Sequence, residues 1–89
     1  MIYIVSYDLV EPGRSYNTLV NKIKESDDWA KLGGSAYLIE SVKSAIELRD
    51  EYKGCIDSND KLYVGVVEAP AAWIGMSEDV SNWIKKHLK

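Results

Sequence analysis

YIVSYDLVEPGRSY, residues 3–16, is the stretch that decides the fold. With Ile2 it opens on an almost unbroken apolar run. Such a run reads as a strand buried on both faces, the central position of a sheet. The strand ends in Tyr7-Asp8. Glu11-Pro12-Gly13 then reads as a loop, since proline presets φ and glycine permits a turn. Ser15 is the expected N-cap of a helix. Tyr16, Leu19, Val20 and Ile23 recur at i, i+3, i+4 and i+7, one apolar stripe of a helix running to about Ser26. A carboxylate at the exit of a strand built for the core is the first candidate for chemistry.

The rest of the chain repeats the alternation. Residues 29–32 read as a second strand. Gly33-Gly34 reads as a two-residue hairpin signal, since both positions can take positive φ. Residues 35–41 form a third strand. Ser44-Ala45-Ile46-Glu47 is a capping box that opens a helix running to about Lys53, with Ala45, Leu48 and Tyr52 inward. Gly54 is its expected C′ residue. Asp57-Ser58-Asn59-Asp60 is a polar turn, and residues 62–67 are a valine-rich fourth strand. Residues 69–76 read either as a short edge strand or as an irregular arm. Ser77 caps a last helix whose acidic start (Glu78, Asp79) and basic end (Lys85, Lys86, Lys89) match the helix dipole. Val80, Trp83, Ile84 and Leu88 form its stripe.

Strand, helix, strand, strand, helix, strand is the order of a ferredoxin-like split βαβ domain of the α+β class. In that fold a four-stranded antiparallel sheet carries both helices on one face. The expectation is one domain over residues 1–89, with a core at 1–67 and a C-terminal arm and helix at 68–89. The second face of the sheet has no cover in the core fold, so the tail or a second copy must hide it.

Composition narrows the partners. The chain has 89 residues, 46% hydrophobic and 28% charged, the balance of an ordinary folded domain. Its net charge of −3 argues against general polyanion binding, although a local basic site is compatible with it. A single cysteine, Cys55, allows no internal disulfide and suits a reducing cytoplasm. The apolar start is too short for a membrane span and lacks the basic start and cleavage site of a signal peptide.

Val5-Ser6-Tyr7-Asp8-Leu9 resembles the first-strand signature of the small ferredoxin-like nucleases of the CRISPR spacer-adaptation complex. Ser35-Ala36-Tyr37-Leu38-Ile39-Glu40 resembles a Ser-Val-Phe-Glu strand of the same family, whose superfamily includes VapD-like toxins. Asp57-Ser58-Asn59-Asp60-Lys61-Leu62 and Ala72-Trp73-Ile74-Gly75 are similar to a branch called SinR-like. The resemblance implies a homodimer. In active relatives it implies cleavage of RNA or DNA phosphodiesters, with Asp8 meeting its twin across the dimer axis and helping to hold Mg²⁺. The final helix departs from the CRISPR proteins, which end in a strand.

The residues carry readings of their own. Mg²⁺ takes oxygen ligands and is often held by one or two carboxylates with waters and substrate phosphate, which two copies of Asp8 would supply. The alternative is an Asx-type turn from Asp8 into residues 11–13. Arg14 and Ser15 either offer a fork and a helix start to a phosphate or make a plain cap. Asp57-Ser58-Asn59-Asp60 lacks the glycine and glutamate of a calcium loop. His87 complements the last helix's dipole, and no spacing makes it a partner for Cys55. There is no zinc spacing, phosphate loop or serine-hydrolase elbow. Trp73 and Ile74 are expected at a dimer interface through the arm. Two functions stay open: a Mg²⁺-dependent endonuclease that binds nucleic acid weakly, or a non-catalytic module that kept the fold and the dimer and binds a protein.

Overall fold

The first strand takes the central position its composition predicts. In the computed structural model, β1 (Ile2–Asp8) lies between β3 (Ala36–Glu40) and β4 (Lys61–Val66), with β2 (Asp28–Gly33) outside β3. All three pairings are antiparallel. α1 (Pro12–Ile23) joins β1 to β2, α2 (Ala45–Lys53) joins β3 to β4, and α3 (Glu78–His87) ends the chain. The strand order β2-β3-β1-β4 and this connectivity are those of a ferredoxin-like α+β fold with one extra helix. The structure describes residues 1–10 and 12–88, and the side chains of residues 12–15 lie outside that description.

Strand periodicity separates the two faces of the sheet. Tyr3, Val5 and Tyr7 are buried together with Tyr37 and Ile39 of β3, Leu19, Val20 and Ile23 of α1, and Leu48 and Tyr52 of α2. Leu62 and Val64 of β4 pack against this cluster. Full burial of one such side chain stabilises by about 1.5–3 kcal/mol, so this layer dominates the stability of the fold. The stripes expected of the first two helices are therefore the ones that face the sheet.

On the second face Ile2, Ala30 and Leu38 are buried, as is Ile84 of α3. α3 lies against β2 and covers that half of the sheet. Among the described residues no helix covers the Asp8 end of β1 and β4 on this face, and Tyr63 there is 65% exposed. The Tyr63 ring lies over Gly65, its neighbour two residues along β4. A Cβ on Gly65 would meet Tyr63 Cε1 at 2.6 Å.

Several boundaries differ from the sequence reading. Pro12 and Gly13 are in the first turn of α1 rather than in a loop, and Ser15 is inside the helix rather than capping it. Proline suits a first helical turn because the N–H it lacks would be unpaired there anyway. The β2–β3 turn is at Gly34-Ser35, because Gly33 pairs with Ala36. Neither Gly33 nor Gly34 has positive φ. A register shift between Lys31 and Gly33 places an extra residue, Leu32, in β2, and this bulge moves the turn by one position. Gly54 ends α2 in a right-handed conformation (φ −68°, ψ −11°), its N–H donating to Tyr52 O. The capping box at Ser44 and Glu47 and the Ser77 cap are both present. Residues 69–76 form the irregular arm, neither helix nor strand.

Candidate functional site

Asp8 is the last residue of β1 and points with Ser6 to the second face of the sheet, away from α1 and α2. It is exposed, and Lys61 of β4 is its direct cross-strand partner. Two shallow clefts flank it. One of about 170 Å³ is lined by Ser6, Asp8, Lys61 and Tyr63. The other, about 240 Å³, lies among Tyr7, Asp8, Leu9, Tyr16 and Ser35.

The turn after Asp8 is held by another aspartate. Asp60 Oδ1 accepts from Val10 N at 2.8 Å, and Asp60 Oδ2 accepts from Asp57 N at 2.8 Å. Among the described residues the Asp8 carboxylate takes part in no hydrogen bond or ion pair. Asp60, at the end of a loop read only as a polar turn, thus holds the Val10 amide, and the Asx-type turn from Asp8 into residues 11–13 would run through residue 11, which lies outside the described residues.

Beside Asp8, Tyr7 is 5% exposed and its hydroxyl has no hydrogen-bond partner among the described residues. Desolvation pushes its pKa up to about 12, with the neighbouring Tyr16 and Tyr37 adding to the effect. Tyr16 meets it edge to face, ring centroids 6.4 Å apart. The Tyr7 hydroxyl is therefore neutral at physiological pH and acts there only as a hydrogen-bond donor or acceptor.

Arg14 and Ser15, the expected phosphate contacts, have backbones in α1, and their side chains lie outside the described residues. Among the described residues no group of three or more His, Cys, Asp or Glu is placed to hold a metal. Among the described residues, Asp8 at this end of the sheet has an ammonium across the strand and no further His, Cys, Asp or Glu grouped with it for a cation, so a site here would need a second copy.

The arm folds onto its own chain. Trp73 Nε1 donates to Ser81 Oγ of α3 at 3.0 Å, which leaves the indole half-buried. Ile74, its neighbour, is 94% exposed. Sequence reasoning missed one further cluster. His87, read as a complement to the α3 dipole, has only 7% of its side chain exposed and sits beside Asp28 and Glu40. Its distance of more than forty residues from either carboxylate left no signal in the sequence.

No protein-family model matches the chain, and no curated protein matches it. The family resemblance thus rests on the sequence motifs and the order of elements read from them. Among the described residues no helix is long and apolar enough to cross a membrane.

Proposed function

We propose that the chain is a homodimer of the CRISPR-adaptation-nuclease and VapD superfamily, SinR-like branch, acting as a Mg²⁺-dependent endonuclease on RNA or DNA in the cytoplasm. The observation that carries this reading is the position of Asp8: exposed at the exit of β1, on the face of the sheet away from α1 and α2, with the Val10 amide held by Asp60. A second copy docked on this face would bring two such carboxylates together, enough for a Mg²⁺ that keeps waters and substrate oxygens as its other ligands. The metal would supply a bound water of lowered pKa and neutralise phosphate charge. This chain's own residues would orient the cation through Asp8 and offer Lys61 to the backbone of the nucleic acid. The exposed Ile74 supports an arm that touches the second copy.

A second reading has its own observation. Lys61 lies directly across from Asp8, and a neighbouring ammonium opposes cation binding. On that reading the dimer is a non-catalytic module that binds a protein.

The experiment is nuclease activity and melting of wild type and Asp8→Asn, with Mg²⁺ or Mn²⁺ and with EDTA. The enzyme reading expects metal-dependent cleavage that Asp8→Asn abolishes, and a metal-induced rise in wild-type melting temperature by mass action. Absence of both leaves the interaction module. Sedimentation at about 10–50 μM, the range in which a weak interface still assembles, should show a dimer, and a monomer there would end both readings.

A further inference from the structure

β4 ends the sheet, and its outer edge is open. Val67 N donates to Ile2 O, and Tyr7 N donates to Ser35 O on the other side of β1. Antiparallel ladders alternate, so Lys61, Tyr63 and Gly65 direct their backbone groups to β1, whereas Leu62, Val64 and Val66 direct theirs outward. Among the described residues no strand lies beside these outward donors and acceptors, and no loop backbone bonds them.

The two edges of the sheet are unlike. β2 carries the bulge at Leu32 and charges at Asp28 and Lys31, and α3 lies against it. Bulges, charges and covering elements are what keep an edge from pairing. β4 keeps an unbroken register with β1, and its run Leu-Tyr-Val-Gly-Val holds no charge, the one lysine standing at the start of the strand. Exposed apolar side chains flank this edge on both sides, Val66 and Ile46 of α2 toward the helices and Tyr63 on the opposite face. A cleft of about 250 Å³ among Ile46, Arg49, Leu62, Tyr63 and Val64 opens beside it.

We propose that the outer edge of β4 is a pairing surface for the same strand of a second copy, joined antiparallel about a two-fold axis at Val64, so that two sheets become one.

The strand is self-complementary in that register. Val64 meets its own twin, and Leu62 meets Val66 of the partner subunit, each pair exchanging both backbone hydrogen bonds through the outward groups. These side chains share the core face, so apolar residues meet apolar ones. On the other face Tyr63 comes opposite the partner's Gly65. Residues in such a pair approach closely, and glycine leaves room for a ring. An aromatic ring laid over a glycine of the neighbouring strand covers backbone that would otherwise stay wet. The Tyr63 ring already lies over Gly65 of its own chain. Charge fixes the register: moving the axis to Leu62 sets Val64 against the partner's Asp60, and moving it to Val66 sets Val64 against the partner's Glu68. A strand of another protein could add to the same edge, but a second β4 is what supplies a glycine for the tyrosine and a tyrosine for the glycine at once, as an isologous contact requires. The contact uses the edge of the sheet and not its face. It does not depend on Asp8, which stays open for docking or for nucleic acid.

Water-exchange rates of the β4 amides, measured by NMR, test the pairing and its register. Between about 20 μM and about 500 μM protein, the Leu62, Val64 and Val66 amides should slow about fourfold, the fall in monomer fraction for a dissociation constant of about 10 μM. The Tyr63 and Gly65 amides, already bonded to β1, should stay slow at both concentrations. Val66→Pro removes an outward donor at an edge position where proline spares the ladder to β1. In sedimentation it should raise the dissociation constant by about tenfold or more, since the symmetric contact loses the bond twice. If that variant melts far below wild type, Tyr63→Lys, at an exposed site, takes its place with the same expectation. Outward amides that exchange alike at both concentrations overturn the pairing, as does a folded variant that associates as tightly as wild type. A dimer whose outward β4 amides stay fast is joined elsewhere, which ends this inference and leaves the docking through Asp8 standing.

Discussion

Asp60 Oδ1 accepts from Val10 N at 2.8 Å, so a residue at the foot of β4 closes the turn that follows β1. The second oxygen accepts from Asp57 N, and one carboxylate thereby pins two loops at the end of the sheet where Asp8 is exposed.

Asp60→Ala leaves both N–H groups to solvent. Loss of a comparable local cap costs about 0.5–2 kcal/mol, and urea denaturation should give a value in that range. Asp8→Asn, measured the same way, should change the stability of the isolated chain by less than about 0.5 kcal/mol, as for exposed surface sites. A reversed ranking would give the turn-shaping role to Asp8.

Leu19 is fully buried between α1 and the sheet. Leu19→Ala should cost about 2–5 kcal/mol through lost transfer energy and the cavity left behind. Ile39→Val, which removes one methylene at an equally buried place in β3, should cost about 0.5–1.5 kcal/mol. Both values are read from denaturant midpoints at unchanged slope.

Gly65→Ala sets a methyl where the Tyr63 ring now lies. The obstructing atoms are the far end of an exposed side chain, which can swing away. Stability should therefore change by less than about 1 kcal/mol, while the Tyr63 ring protons shift in the NMR spectrum. A loss well above that would mean that the ring is fixed over the strand by something stronger than contact with glycine.

Tyr7 links stability to alkaline pH. Its folded pKa, pushed to about 12, exceeds the unfolded value of 10.0, so the folded state holds the proton more tightly. Its contribution is full below the unfolded value and is lost as pH rises through the folded one. Tyr37 and Tyr52 are shifted the same way by burial. Wild type should lose stability from about pH 10 upward. Tyr7→Phe should weaken that slope, and it should be close to neutral at pH 7 because the buried hydroxyl has no partner among the described residues to lose. An unchanged alkaline slope in the variant would count against the desolvated hydroxyl.

The sequence by itself determined the order of elements, the central place of β1, the inward stripes of α1 and α2, and the caps at Ser44 and Ser77. Each of these depends on neighbours within a few residues, where periodicity and capping chemistry act. It did not determine the β2–β3 turn, because the bulge at Leu32 is set by pairing with Tyr37 and Ala36 on the opposite strand. Nor did it show that Asp60 holds the Val10 amide after β1, since that hydrogen bond spans fifty residues of chain. The place of α3 on the second face was decided the same way. Its stripe showed only that it would bury an apolar side, and the packing of buried Ile84 and of α3 against β2 exists only in the assembled sheet. Local chemistry is written in short intervals of sequence, whereas contacts between distant charged groups exist only once the sheet has brought its strands together.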